Sequence, residues 1–153
     1  MASTTVESAD LTIQQLARRT GLAESALRYY ERIGLIDAVP RDESSGHRRY
    51  PPALVAAVES LSCLRGAGMS VADMRAYVEN MRRGGAAASD QRELFARHAQ
   101  RLRDEITELD RRRRYVAAKA DLWASRERGD ADTEARVTAE LIEMAREFFD
   151  DNS

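Results

Sequence analysis

Apolar positions recur along this chain at helical spacing, but in blocks of very different length. Ile13, Leu16 and Ala17 mark one apolar face of a short helix. Thr12 and Gln15 supply a T-x-x-Q capping box at its start, Leu11 and Leu16 a hydrophobic staple, and Gly21 a stop after two turns. A second helix is predicted from about Ala23 to Ile33, ended by Gly34; its start is weak, because Ala23 has no side-chain oxygen to cap the free N–H groups. Two short helices joined by a tight glycine turn form the helix-turn-helix pattern. Leu35–Val39 and Arg48–Tyr50 then read as short strands around RDESSG, with Gly46 free to take positive φ, which predicts a β-wing. Pro52 opens a third helix to about Gly66, and Ser70 with Asp73 opens a fourth through Met74, Tyr77, Val78 and Met81. Gly84, Gly85 and three alanines suggest a linker over 84–89.

The longest block follows, from about Asp90 to Arg128. Phe95, Ala99, Leu102, Ile106, Leu109, Arg113, Val116, Ala120 and Trp123 keep an unbroken 4-3-4-3 spacing, and only Arg113 among them is polar. Four such heptads predict a coiled-coil helix about 58 Å long, whose seam needs another helix. A second copy of the chain is the natural supplier, so the stripe Phe95, Ala99, Leu102, Ile106, Leu109, Val116, Ala120 and Trp123 is the expected dimerisation surface. Gly129-Asp130 ends this helix. Val137, Leu141, Met144, Ala145 and Phe148 then mark one face of a last amphipathic helix within 129–153.

Composition narrows the class. The 153 residues are 43% hydrophobic and 33% charged, with only 8 Gly and 3 Pro, as expected of a helix-rich globular chain. No apolar run approaches the ~20 residues that span a bilayer, and the polar first ten residues read as a disordered tail without the layout of a secretory signal. A cytoplasmic protein with no membrane association is expected. The net charge of −2 conceals a polarised chain: residues 11–83 and 84–128 each carry +3, whereas 129–153 carry −6. A basic head is therefore compatible with an acidic whole.

The segments LTIQQLARRTGLAESALRYYERIGLI, SGHRRY and LRGAGMSVADM resemble the MerR family of transcription regulators over residues 11–83, in the family's order and spacing. The resemblance implies a mainly α fold: a winged helix-turn-helix DNA-binding head, a long antiparallel dimerisation helix over 90–128, and a short C-terminal helix. It also implies a homodimer on a pseudo-palindromic promoter operator in double-stranded DNA, with altered promoter geometry in response to an effector and RNA polymerase holoenzyme as a partner at the promoter. Ser25, Arg28, Tyr29 and Arg32 recur at three- and four-residue steps and share an exposed helix face, while Leu27, Tyr30 and Ile33 suit the core. That face suits a major groove, with Arg28 at guanine edges or phosphates and Tyr29 donating to the backbone. Arg41, His47, Arg48 and Tyr50 of the wing suit flanking phosphates or the minor groove, and Arg65 at the end of the third helix suits a phosphate. His47 and Ala26 stand where the family commonly has Tyr and Thr, departures that bear on operator choice.

Cys63 is the one cysteine, which excludes an internal disulfide and any Cys₂ or Cys₄ metal site within one chain; no cofactor is expected. Leu54, Ala57, Val58, Leu61 and Leu64 form the core side of the third helix. Cys63 falls opposite, on a line of small residues with Ala56, Ser60 and Ala67. The LSCLRGAGMSV stretch resembles the AdhR/NmlR-like branch, which responds to aldehydes or thiol stress, so Cys63 is a candidate sensor for an electrophile or redox stress. Against this stands its reading as a small apolar packing residue. An effector-independent architectural or partner-recruiting DNA-binding protein is the alternative function. Enzymatic chemistry has no support, because two isolated histidines and one cysteine provide no nucleophile–base pair.

Overall fold

The computed structural model describes residues 9–150; most of the expected tail, residues 1–8, lies outside the described residues, as do 151–153. Among the described residues six α-helices follow one another: α1 (Ile13–Thr20), α2 (Glu24–Arg32), α3 (Pro52–Gly66), α4 (Val71–Arg83), α5 (Ala88–Arg128) and α6 (Ala131–Asp150). The stretch read as a linker is a 3-10 turn, Gly84–Ala87, that runs directly into α5.

The chain divides into two compact units, one through Ala96 and one from Arg97. The first is built by local signals that agree with one another. Thr12 accepts the Gln15 N–H at 3.2 Å, and the Gln15 side chain accepts the Thr12 N–H at 2.8 Å, closing the capping box of α1. Gly21 ends that helix at φ 72°, a left-handed conformation that side chains disfavour. Ser70 caps α4 by accepting the Asp73 N–H, and Pro52 opens α3. The four helices enclose one core, with Leu16, Leu27, Tyr50, Val58, Leu61 and Met74 fully buried or nearly so, and Leu94 from the start of α5 joining it. On α3, Val55 takes the buried place expected of Ala57, which is exposed.

The wing corrects the sequence reading. Among the described residues there is no strand over Leu35–Val39 or Arg48–Tyr50, only two isolated antiparallel bridges, Arg41 with Arg48 and Leu11 with Tyr50. The reason lies in where the backbone groups go. The Leu35 and Ile36 N–H groups turn back to the Tyr30 carbonyl at 2.9 and 3.3 Å, closing the end of α2 rather than starting a ladder. Leu35, Ile36 and Val39 are buried in the core, and Pro40 has no N–H to donate.

In the second unit, α6 lies against α5 through Ala118, Leu122, Val137 and Leu141, with Tyr115 and Met144 packed at the edge. Phe148 sits edge-on to Tyr115 at 5.5 Å between ring centres, under the Arg111 guanidinium at 4.7 Å. The last helix thus docks on its own chain. The heptad stripe faces elsewhere: Ile106, Leu109, Val116 and Trp123 are 63–67% exposed. His98 is buried, and its Nδ1 lies 2.9 Å from an Arg101 Nη.

Candidate nucleic-acid interface

Helix α2 presents its polar face outward because Leu27 and Tyr30 hold the opposite face in the core. Ser25, Arg28, Tyr29 and Arg32 are exposed on it. Arg32 stacks over the Tyr29 ring at 5.3 Å, which orders a flexible side chain beside a phenol. Arg28 pairs with Glu24 at 3.2 Å across one helical turn. Such an exposed pair contributes at most about 1 kcal/mol, so an incoming phosphate can readily displace Glu24.

Ser25, Tyr29, Arg32 and Arg65 line one open groove of about 810 Å³ where α3 passes the turn between α1 and α2. Thr20 and Ser62, which the sequence did not single out, complete its polar lining. The Ser62 hydroxyl donates to the Thr20 carbonyl at 2.7 Å, and the Thr20 hydroxyl donates to Leu16 at 2.8 Å, so the end of α3 is tied to the end of α1. Arg28 does not line this groove; Arg41, His47 and Arg48 lie apart, in the wing.

The wing is held by two carboxylates rather than by strands. Asp42 accepts the backbone N–H groups of Ser44 and Ser45, each at 2.9 Å, and the Ser44 hydroxyl at 2.6 Å. The Ser44 hydroxyl and then these amides hold its carboxyl well below the usual carboxylate range. Gly46 follows at φ 70°, and Arg41 donates to its carbonyl at 3.0 Å. Glu31, on the last turn of α2, accepts the Val39 N–H at 2.7 Å and the Arg48 Nε–H at 3.0 Å. Burial alone would raise the Glu31 pKa, but the Val39 amide, the Arg48 hydrogen bond and the charges of Arg48 and Arg41 together outweigh it and hold the carboxyl below its ordinary value. A signal for Glu31 was present: it stands four residues after buried Leu27, and a charge on the core side of a helix needs a partner.

Tyr50 requires a correction. It was expected to touch DNA from the wing, yet its side chain is completely buried and its hydroxyl is enclosed with no hydrogen-bond partner among the described residues. Burial raises its pKa. Its backbone, bonded both ways to Leu11 at 2.8 and 2.9 Å, fastens the end of the wing to the start of α1; the ring belongs to the core. Cys63 is exposed on the outer side of α3.

Two short helices about a left-handed glycine, followed by a wing pinned to the second helix, define a helix-turn-helix regulator head. Residues 11–81 match the MerR HTH family of regulatory proteins. The chain is 35% identical to the HTH-type transcriptional regulator AdhR of Bacillus subtilis (strain 168) over 92 residues, which are 60% of this chain and 65% of AdhR, slightly less than two thirds of it. It is 31% identical to the HTH-type transcriptional regulator HmrR of Rhizobium leguminosarum bv. viciae over 102 residues, 67% of this chain and 72% of that one. Among solved structures it resembles HiNmlR, a MerR family regulator lacking the sensor domain and bound to promoter DNA, with 26% identity and a TM-score of 0.64 over 84% of this chain and 95% of that one. The chain belongs to the MerR family of transcription regulators. No helix among the described residues is long and apolar enough to cross a membrane.

Proposed function

We propose that this regulator grips a pseudo-palindromic promoter operator as a homodimer and alters the geometry of that DNA for RNA polymerase in the cytoplasm, with no catalytic step of its own. The observation that carries the reading is the groove where Ser25, Tyr29 and Arg32 of α2 meet Arg65 of α3. Two arginines and two hydroxyls converge there from different elements, which a merely solvated face would not require. The binding of HiNmlR to promoter DNA supports the same use of this head. Pairing is supported by the stripe on α5, whose Ile106, Leu109, Val116 and Trp123 side chains are exposed in the single chain. Burying them removes apolar surface worth roughly 1.5–3 kcal/mol for each large side chain.

Binding of a labelled promoter duplex, followed by fluorescence anisotropy across a range of salt, tests the interface. Arg32→Ala and Arg65→Ala should each weaken binding and flatten the dependence of log K on log salt by about 0.9 for each lost phosphate contact. Arg136→Ala, on exposed α6, should change neither. Unchanged affinity in both groove variants would defeat the reading.

The effector is an electrophile or redox stress acting at Cys63. Exposure of the thiol supports the access that reactivity needs. Maleimide labelling of the native chain should be fast, and should change promoter output in the wild type but not in Cys63→Ser. Labelling that requires denaturant, or output indifferent to the label, returns Cys63 to a packing role and favours the effector-independent regulator.

A further inference from the structure

We infer that Glu31 is a positioning residue for duplex binding: it grasps Arg48 by Nε and so presents the two terminal guanidinium nitrogens to a backbone phosphate. This rests on the DNA-binding reading above and extends it to an acidic residue that ordinary charge counting would place against the interface.

The geometry is asymmetric in a useful way. Glu31 is half-buried, with its side chain 19% exposed, and Arg48 is similarly enclosed at 21%. One carboxylate oxygen takes the Arg48 Nε–H, and the other takes the Val39 N–H, so the carboxylate is fixed from both sides. Among the described residues Arg48 makes its one ion pair through Nε, and neither terminal nitrogen hydrogen-bonds to protein. A guanidinium offers five N–H donors in a rigid plane, so fixing Nε also fixes the direction of the other four. Held this way, Arg48 loses little freedom on meeting a phosphate, which favours affinity over that of a loose side chain.

The bond also spans elements. Glu31 lies on α2, 8 residues before Val39 and 17 before Arg48. Among the described residues the wing has no strand ladder, only the Arg41–Arg48 bridge within it and the Leu11–Tyr50 bridge that ties its end to the start of α1. Glu31 is therefore what couples the position of the wing's phosphate donor to the helix that carries Ser25, Tyr29 and Arg32. A phosphate contact carries no base information of its own but sets register, and register on this head is set relative to α2.

Two expectations oppose each other, which makes the inference testable. If Glu31 acts only as a charge near the duplex, neutralising it removes repulsion and tightens binding. If it positions Arg48, neutralising it weakens binding. Glu31→Gln keeps the size and one acceptor oxygen but not the second acceptor or the charge. A 40-bp duplex selected by the full-length wild-type protein from a random pool serves as the probe, with circular dichroism to verify that each variant folds. Glu31→Gln should bind roughly 3- to 10-fold more weakly, with a salt slope lower by about 0.9. Arg48→Met should show the same slope change, and the double variant should bind no worse than Arg48→Met alone. In the free protein, the Arg48 Nε–H resonance should be protected from solvent exchange in the wild type and lose that protection in Glu31→Gln, a readout independent of DNA. Equal or tighter binding by Glu31→Gln, or penalties that add in full, would overturn the inference while leaving the DNA reading standing. A wild-type protein that selects no duplex overturns both.

Discussion

Glu31 and Gly46 show how much of the wing depends on single residues. The Glu31 carboxyl lies below its ordinary value of 4.5 in the folded chain, so its contribution to stability is fully present above that value and is lost as pH falls through the folded pKa. Urea unfolding of the wild type and Glu31→Gln should therefore differ most above pH 5 and converge as the pH falls from 4.5 through the lowered pKa of the folded state. A gap that stays constant with pH would mean the ionised carboxylate adds nothing to the fold. Gly46 takes φ 70° with nothing within 4 Å of the place a Cβ would occupy. Its requirement is thus conformational rather than steric, and Gly46→Ala should cost about 1 kcal/mol, whereas Gly46→Asn, which tolerates this region better, should cost less. Urea midpoints of the two variants would separate these effects.

At the scale of elements, the helix ends are where residue chemistry turned most directly into structure. Thr12→Ala removes the side-chain half of a closed capping box and should lower stability by about 1 kcal/mol, measured as a shift of the urea midpoint at constant slope. The starts of α1, α3 and α4 were legible because a cap is written within four residues: Thr12 with Gln15, Pro52 at the first turn, Ser70 before Asp73. The face of α6 was legible for the same reason, since Val137, Leu141, Met144 and Phe148 repeat at helical spacing. What escaped was decided by contacts distant in sequence. Leu35 and Ile36 have strand-forming side chains, but the Tyr30 carbonyl receives both of their N–H groups. Tyr50 sits beside Arg48 in a basic, loop-like stretch, yet its pairing with Leu11, 39 positions earlier, takes its ring into the core. Thr20 and Ser62 carry no motif; only the approach of α3 to α1 gives them a role in the groove. The task of Glu31 escaped as well, because its partners Val39 and Arg48 belong to an irregular segment that no periodicity predicts.

The whole molecule is organised by what each unit leaves uncovered. The first unit satisfies its own core and exposes Ser25, Arg28, Tyr29, Arg32, Arg41, His47 and Arg65. The second covers one side of α5 with α6 and leaves Ile106, Leu109, Val116 and Trp123 open. In the reading proposed above, this exposed run of large apolar side chains is the association surface, and its 3.5-residue period fits a second helix of the same kind. In that reading two heads joined by this surface address two half-sites, whereas one head offers one helix-turn-helix groove and one wing. Sedimentation of the full-length chain at micromolar concentration, alone and with promoter duplex, tests this most directly. The wild type should sediment with the mass of two chains and bind one duplex per pair, and Leu109→Glu should sediment as a single chain with much weaker duplex binding. A wild type that remains a single chain even with duplex present, or a Leu109→Glu variant that pairs and binds as before, would contradict it.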